Sequence, residues 1–281
     1  MPELPEVESV REGLSEMIVG EKISTVEVRW DNIIESPAVE NFKKYLEGQI
    51  FEKVNRRGKF LLFYLTDYVL ISHLRMEGKY QYLLPSYGEK DAIEDKHTHI
   101  IFYLESGYEL RYLDVRKFGR MSLVKKGEEF EHKSLAKLGP EPTLEDFKLE
   151  EMRDFLTRRR KAIKGVLLDQ EIVVGIGNIY ADEILFRSQI HPEKSAKTLT
   201  AAEEEILHES IINILDEAVQ KGGTTIRTYQ NAFGENGSYQ EDLKVYGKNG
   251  LDCPRCGTKI EKIKVVNRGT HFCPSCQELE R

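Results

Sequence analysis

Cysteine is scarce in this chain: four residues in 281, all between positions 253 and 276. No disulfide framework can therefore hold the body of the protein together. Nor is there an apolar run approaching the roughly 18 residues of a membrane-crossing helix. The N-terminus is acidic and has no apolar core of the secretory kind. Together these absences predict a cytoplasmic chain, in a compartment where structural disulfides are rare. Internal repeats and low-complexity tracts are missing too. Net positive charge is also absent: 41 basic residues face 48 acidic ones, for a net charge of −7. Taken as a sum, that argues against a nucleic-acid partner, but the distribution of charge is more informative than its sum. Basic residues gather in four short runs: Arg56, Arg57 and Lys59; Arg116, Lys117 and Arg120; Arg158 to Lys161 with Lys164; and Lys259, Lys262, Lys264 and Arg268.

The remaining composition is that of a soluble globular protein, with 40% hydrophobic and 32% charged residues. The length favours two domains. Leu4, Val7, Val10, Leu14 and Met17 recur at helical spacing over residues 3–19, and Gly20 ends the run. From 22 to 125 the pattern changes to short β-rich runs, such as Ile23–Val28, Phe60–Leu65, Val69–Leu74, His99–Leu104 and Glu109–Leu113, as in a sandwich or barrel. A polar loop is expected at 87–96. Leu138-Gly-Pro-Glu-Pro142 punctuates the chain. Helices follow near 145–158, 161–169, 178–187 and 200–221. Gly175-Ile-Gly177 before Asn178 makes a tight turn whose amides suit a phosphate at a helix start, although a plain helix–helix turn gives the same letters. Residues 222–250, rich in Gly and Asn, predict a long mobile loop.

The cysteines form Cys253-Pro-Arg-Cys256 and Cys273-Pro-Ser-Cys276. Two such turns supply four thiolates, a closed tetrahedral set that suits one structural Zn²⁺. A disulfide pair or a redox pair is the alternative, and the reducing compartment disfavours both. Between the two turns, 259–266 reads as a strand and Asn267-Arg-Gly-Thr270 as the hairpin turn.

The opening Met-Pro-Glu-Leu-Pro-Glu-Val-Glu carries a different chemistry. Trimming of Met1 would leave Pro2 with a terminal secondary amine. Such an amine attacks an aldehyde-like sugar carbon and gives an iminium that is cationic without losing a proton. The simpler interpretation of the same letters is a helix start, with Pro in the first turn and acids at the positive end.

Five motifs stand together: residues 2–8, Arg57-Gly-Lys-Phe60, Asp114-Val-Arg-Lys-Phe-Gly119, Gly175-Ile-Gly-Asn-Ile-Tyr-Ala-Asp-Glu183, and Arg268-Gly-Thr-His-Phe-Cys-Pro-Ser-Cys-Gln277. In order and spacing, across the whole chain, they resemble the bacterial formamidopyrimidine-DNA glycosylases, bifunctional enzymes for 8-oxoguanine and ring-opened purines. The resemblance implies an α+β, two-lobed fold. A β-sandwich with a leading helix (1–130) is joined by a hinge (131–142) to a helix–two-turn–helix lobe (143–223). A lesion-covering loop (224–244) and a zinc-finger hairpin (245–281) complete it. Damaged double-stranded DNA would lie between the lobes of a monomer that engages no membrane and associates with the nucleoid through DNA.

The resemblance also lends roles to residues. Pro2 would attack C1′ and Glu3 would be the acid that helps open the sugar, its pKa raised by burial. Lys59 would assist β-elimination, and Arg268 would assist δ-elimination and bind phosphate. His73, His97, Arg159 and Asn178 would touch the DNA strand. Met76, Arg116 and Phe118 would fill the gap left by base extrusion. Arg116 and Phe118 would share one face of an extended strand, Arg116 bonding the widowed cytosine and Phe118 wedging the stack. By itself, Lys59 also reads as an exposed strand lysine, and beside Arg56 and Arg57 a phosphate contact is at least as much expected as proton transfer. Two departures are visible: Asn267 where glycine is common, and Arg159 where some members have lysine. The rival expectations are an endonuclease VIII-like enzyme for oxidised pyrimidines and a non-enzymatic zinc-ribbon DNA-binding protein.

Overall fold

The computed structural model describes residues 1–84, 96–224 and 237–279. Of the loop expected at 87–96, only Lys96 is among them, and residues 225–236 of the expected lesion-covering loop also lie outside. The chain divides into two compact units. One comprises Met1–Pro2 and Glu6–Ala136; the other comprises Glu3–Pro5, Lys137–Thr224 and the chain from Ser238 onward.

The first unit is a β-sandwich with a leading helix. In chain order it holds α1 (Leu4–Ile18, beginning in the residues assigned to the other unit), β1 (Ile23–Val28), β2 (Ile34–Ser36), α2 (Val39–Leu46), β3 (Phe51–Arg57), β4 (Phe60–Leu65), β5 (Tyr68–His73), β6 (Lys79–Leu83), β7 (Thr98–Leu104), β8 (Glu109–Leu113) and β9 (Arg120–Lys125). One sheet runs β1-β7-β8-β6 and the other β2-β9-β5-β4-β3. Helix α1 buries Val7, Val10, Leu14 and Ile18 in the sandwich core, each contributing about 1.5–3 kcal/mol. It stops at Gly20, whose φ of +92° admits few residues but glycine. The two sheets meet through aromatic contacts: Phe51 on β3 against Phe102 on β7, and Phe63 on β4 against Tyr80 on β6, with ring centroids 6.4 and 5.3 Å apart.

Helix α2 is absent from the sequence expectation. Its eight residues bury Phe42 and Leu46, a single i, i+4 pair and too short a signal to stand out among strands.

The second unit is helical: α3 (Leu149–Thr157), α4 (Ile163–Leu168), α5 (Asn178–Arg187) and α6 (Ala201–Gln220), followed by the hairpin β10 (Glu261–Val265) and β11 (Arg268–Phe272). Helix α6 opens on a capping box. The Thr200 hydroxyl accepts from the Glu203 amide, and the Glu203 carboxylate accepts from the Thr200 amide at 2.8 Å.

Two expectations are corrected here. The described part of 222–250 is packed chain: Tyr239, Leu243 and Val245 are buried. The amides of Lys244, Val245 and Tyr246 donate to the Glu183 carboxylate at 2.8, 2.9 and 2.8 Å. Burial still holds that carboxyl above its ordinary range, against the lowering effect of these three bonds. The hairpin turn is Val266-Asn267, both left-handed (φ 43° and 62°), and Val265 pairs with Arg268. A two-residue turn of this hand matches strand twist. It makes Arg268 the first residue of β11 and removes it from the turn.

Candidate functional site

In the first unit, Pro2 is buried. Lys59 sits in the β3–β4 turn and is 6% exposed, which corrects the exposed-strand alternative. Its neighbour Arg56 is committed to structure: its Nε donates to Glu8 at 2.8 Å and its Nη1 to the Gly58 carbonyl at 3.0 Å. That run of charge is therefore only partly available to phosphate.

His73 ends β5, with its ring edge-on to Phe60 at 4.5 Å. Its Nδ1 accepts the Arg75 amide at 2.9 Å. Burial, then the charges of Arg75 and Lys59, hold its pKa down at about 3. The imidazole is neutral at physiological pH, and with Nδ1 accepting, Nε2–H is the donor. Met76 is exposed in the turn that follows.

Asp114 to Gly119 is a loop, not the expected strand. The buried Asp114 carboxylate accepts the amides of Arg116 (3.0 Å), Phe118 (2.9 Å) and Gly119 (2.7 Å). These bonds curl the backbone, and Lys117 takes φ +56°. Phe118 stays 46% exposed, an unusual state for phenylalanine. Arg116 still shares its surroundings, with its guanidinium 4.7 Å from the Phe118 ring centroid. Lys117 Nζ lies 3.9 Å over Trp30. His97 adjoins the same loop, its carbonyl accepting the Asp114 amide at 2.9 Å.

In the second unit, the amides at the start of α5 bind Glu3. Gly177 N–H donates to Glu3 Oε2 at 2.6 Å, Ile179 to Oε1 at 2.9 Å and Tyr180 to Oε2 at 3.3 Å. The turn expected to cradle phosphate thus holds a carboxylate of the chain itself. A helix N-terminus attracts either anion, and the tethered one is present at far higher effective concentration. Gly177 is required by this contact, because a Cβ there would lie 2.3 Å from the Glu3 carboxyl carbon. Asn178 Nδ2 donates to the Gly269 carbonyl at 2.9 Å, while its Oδ1 is buried with no partner among the described residues.

Lys164, grouped by sequence with a basic surface, is fully buried. Its Nζ donates to Asp182 Oδ1 at 2.6 Å and to Thr270 Oγ1 at 2.8 Å. Burial lowers its pKa and Asp182 opposes the shift. Asp182 Oδ2 accepts the His271 amide at 2.8 Å. Lys164, Asp182 and Asn178 therefore hold the three residues that follow Arg268. Sequence alone assigns Lys164 no role beyond its basic run and Asp182 none, since an Ile-Lys or Ala-Asp step in a helix carries no sign of burial. Arg159 is half-buried, pairs with Glu171 at 2.9 Å and stacks on Phe155.

The four cysteine Sγ atoms lie within 4.8 Å of one another. Cys253 and Cys276 are 3.9 Å apart and Cys256 and Cys273 3.5 Å. Tetrahedral Zn–S bonds of about 2.3 Å need edges of about 3.8 Å, so the donor set fits one zinc ion. The amides of Arg255 and Cys276 donate to Cys253 and Cys273 sulfur at 3.4 Å, which suits thiolates.

Family models match along the chain: the formamidopyrimidine-DNA glycosylase N-terminal domain at residues 1–121, its H2TH domain at 138–230, and a zinc finger found in FPG and IleRS at 250–279. The formamidopyrimidine-DNA glycosylase of Enterococcus faecalis is 54% identical over 280 residues, covering 100% of this chain and 98% of the relative. That of Streptococcus pneumoniae serotype 4 is 53% identical and covers 100% of both. Among solved structures, wild-type Lactococcus lactis Fpg (MutM) with DNA containing N7-benzyl-Fapy-dG superposes with a TM-score of 0.92 at 44% identity, covering 99% of this chain and 100% of that one. The same protein with abasic-site DNA gives 0.91 at 44% identity, with the same coverage.

Proposed function

Because the chain belongs to the formamidopyrimidine-DNA glycosylase family, we propose that it excises oxidised purines (8-oxoguanine and formamidopyrimidines) from duplex DNA and then cleaves the strand as an abasic-site lyase. The observation that carries this reading is the seat of Glu3: three amides of α5 fix a carboxylate one residue from the Pro2 nitrogen.

The chemistry follows from those two residues. The Pro2 amine bonds to C1′ of the damaged nucleotide, and the bond from C1′ to the base breaks as the base leaves. Glu3, next in the chain, handles the proton at the opening sugar. The iminium withdraws electrons from C2′, which loses a proton as the C3′–O bond breaks. A second proton loss, at C4′, expels the C5′ oxygen. Lys59, on the first unit, assists the first elimination. Arg268, held beside the hairpin turn, assists the second and binds phosphate.

Base extrusion precedes all of this. Phe118 and Met76 are exposed apolar groups suited to the vacated stack, and Arg116 is suited to the orphaned cytosine. His73 donates to a phosphate as a neutral group, while His97, Arg159 and Asn178 contact the strand. One zinc ion in the four-cysteine set keeps the hairpin folded. The expected working place is the cytoplasm, on chromosomal DNA. Among the described residues no helix is long and apolar enough to cross a membrane.

Borohydride reduction with an 8-oxoguanine:cytosine duplex should trap a covalent protein–DNA adduct, and Pro2→Gly should lose most of it. A chain that binds lesion DNA yet traps no adduct is a binding module. Preferential adduct formation with oxidised pyrimidines would assign it to the endonuclease VIII type.

A further inference from the structure

Two loops of the first unit carry the groups assigned above to the vacated stack. Residues 74–78, between β5 and β6, present Met76. Residues 114–119, between β8 and β9, present Arg116 and Phe118. Both loops close on one atom. A Cβ at Gly78 would lie 2.3 Å from Tyr112 Oη, and a Cβ at Gly119 would lie 1.7 Å from it. This oxygen excludes a Cβ at both places, joined at Gly78 by the Leu74 carbonyl at 2.6 Å, although neither glycine has a left-handed φ. Gly78 is further fixed by its amide, which donates to the Leu74 carbonyl at 3.0 Å.

Tyr112 itself is fully buried on β8, with its ring edge-on to Tyr80 at 5.2 Å. Tyr80 Oη donates to Ser72 at 2.8 Å, so its own hydroxyl is satisfied. Tyr112 Oη makes no well-formed hydrogen bond among the described residues, and the Asp114 carboxylate nearby satisfies it only in part. A buried unsatisfied hydroxyl costs about 1–3 kcal/mol. Phenylalanine would keep the ring packing without that cost, so stability alone does not account for the oxygen. Burial, and then the Asp114 carboxylate, through its charge and its pull on the hydroxyl proton, push the phenol far above its ordinary range, so it remains a neutral O–H.

We propose that Tyr112 is a positioning residue for the extrusion step. Its hydroxyl oxygen spaces the Met76 loop from the Phe118 loop, so that the two wedges enter the base stack in register. Asp114 shapes one loop from within, whereas Tyr112 ties that loop to the other. The proposal rests on the function assigned above.

The test is Tyr112→Phe in the full zinc-loaded chain. Its thermal midpoint should equal or exceed that of the parent. Its single-turnover excision of 8-oxoguanine opposite cytosine should slow about tenfold, the size of a coupled pair of contacts. Strand cleavage at an abasic site in a single-stranded oligonucleotide, which has no stack to open, should keep the parent rate. In the parent, Met76→Ala and Phe118→Ala should be non-additive for duplex excision, and in Tyr112→Phe they should become additive. An unchanged duplex rate, equal slowing on both substrates, or non-additivity that survives the hydroxyl's removal would each overturn the proposal. Absence of any borohydride adduct with the parent protein would remove the functional assignment itself, and this proposal with it.

Discussion

The two units hold their functional groups by different means. In the first, the bonds at His73 and Asp114 are short-range. Arg75 donates to His73 two residues back, and Asp114 gathers amides two, four and five residues ahead. In the second, the bonds span much of the chain. Glu3 reaches Gly177, Lys164 reaches Thr270, Asp182 reaches His271 and Asn178 reaches Gly269. A locally organised loop can be damaged by itself. A long-range set shares its members, so damage at one point reaches Arg268.

That contrast is open to disruption, and the largest effect should come from the zinc site. Chelation removes a site of about 10 kcal/mol or more. It should abolish the hairpin and specific DNA binding together, while sandwich cooperativity is retained in a thermal scan. Unchanged affinity after verified metal loss would refute the structural role given to the hairpin. Next comes Asp182→Asn, which leaves the buried Lys164 ammonium without its hydrogen-bonded carboxylate. A loss of about 3–5 kcal/mol in denaturant unfolding is expected, with a weakened Arg268 function seen as β-elimination product accumulating over δ. A fall in stability with no change in product ratio would separate Arg268 from the buried pair.

Glu3→Gln keeps one acceptor oxygen but turns an N–H₂ group toward α5 amides. Excision of 8-oxoguanine should fall about 100-fold or more, and cleavage of preformed abasic DNA, which needs no base removal, should fall much less. On the local side, Asp114→Asn forfeits part of its amide set and should cost about 1–3 kcal/mol, slowing duplex excision with no change in the β to δ ratio. A changed ratio would erase the distinction between the units.

The smallest effect is a pH dependence. His73 has a folded pKa of about 3 against an ordinary 6.5. Between those values the unfolded chain takes up a proton that the native site refuses. Stability present above pH 6.5 is therefore lost as pH falls, by on the order of 2 kcal/mol at pH 5. His73→Asn should flatten that slope in unfolding measurements at pH 7.5 and 5.

The same contrast explains what was legible from sequence. The cysteine pairs, the strands and helices α5 and α6 follow local periodicity and spacing, and the structure has them where the pattern places them. The curl at Asp114 was missed even though its residues were in view, because Arg-x-Phe alternation also describes a strand. What decides the matter is a carboxylate below the chain. The seat of Glu3, the burial of Lys164 and the docking of 244–246 on Glu183 have no local signature at all. In each, one partner lies far along the sequence, and a helix start, a lysine in a basic run or a Gly/Asn-rich stretch reads the same with or without it. The resemblance proposes the residues of the site, but it does not supply the hydrogen bonds that hold them.

One contact gives the chain a built-in optical gauge. The protein has a single tryptophan, and Trp30 lies beneath the ammonium of Lys117, the residue between Arg116 and Phe118. All indole emission therefore originates beside the 114–119 loop. When Lys117 lifts from the indole face, the spectrum reports that displacement with no attached dye and no background from a second indole.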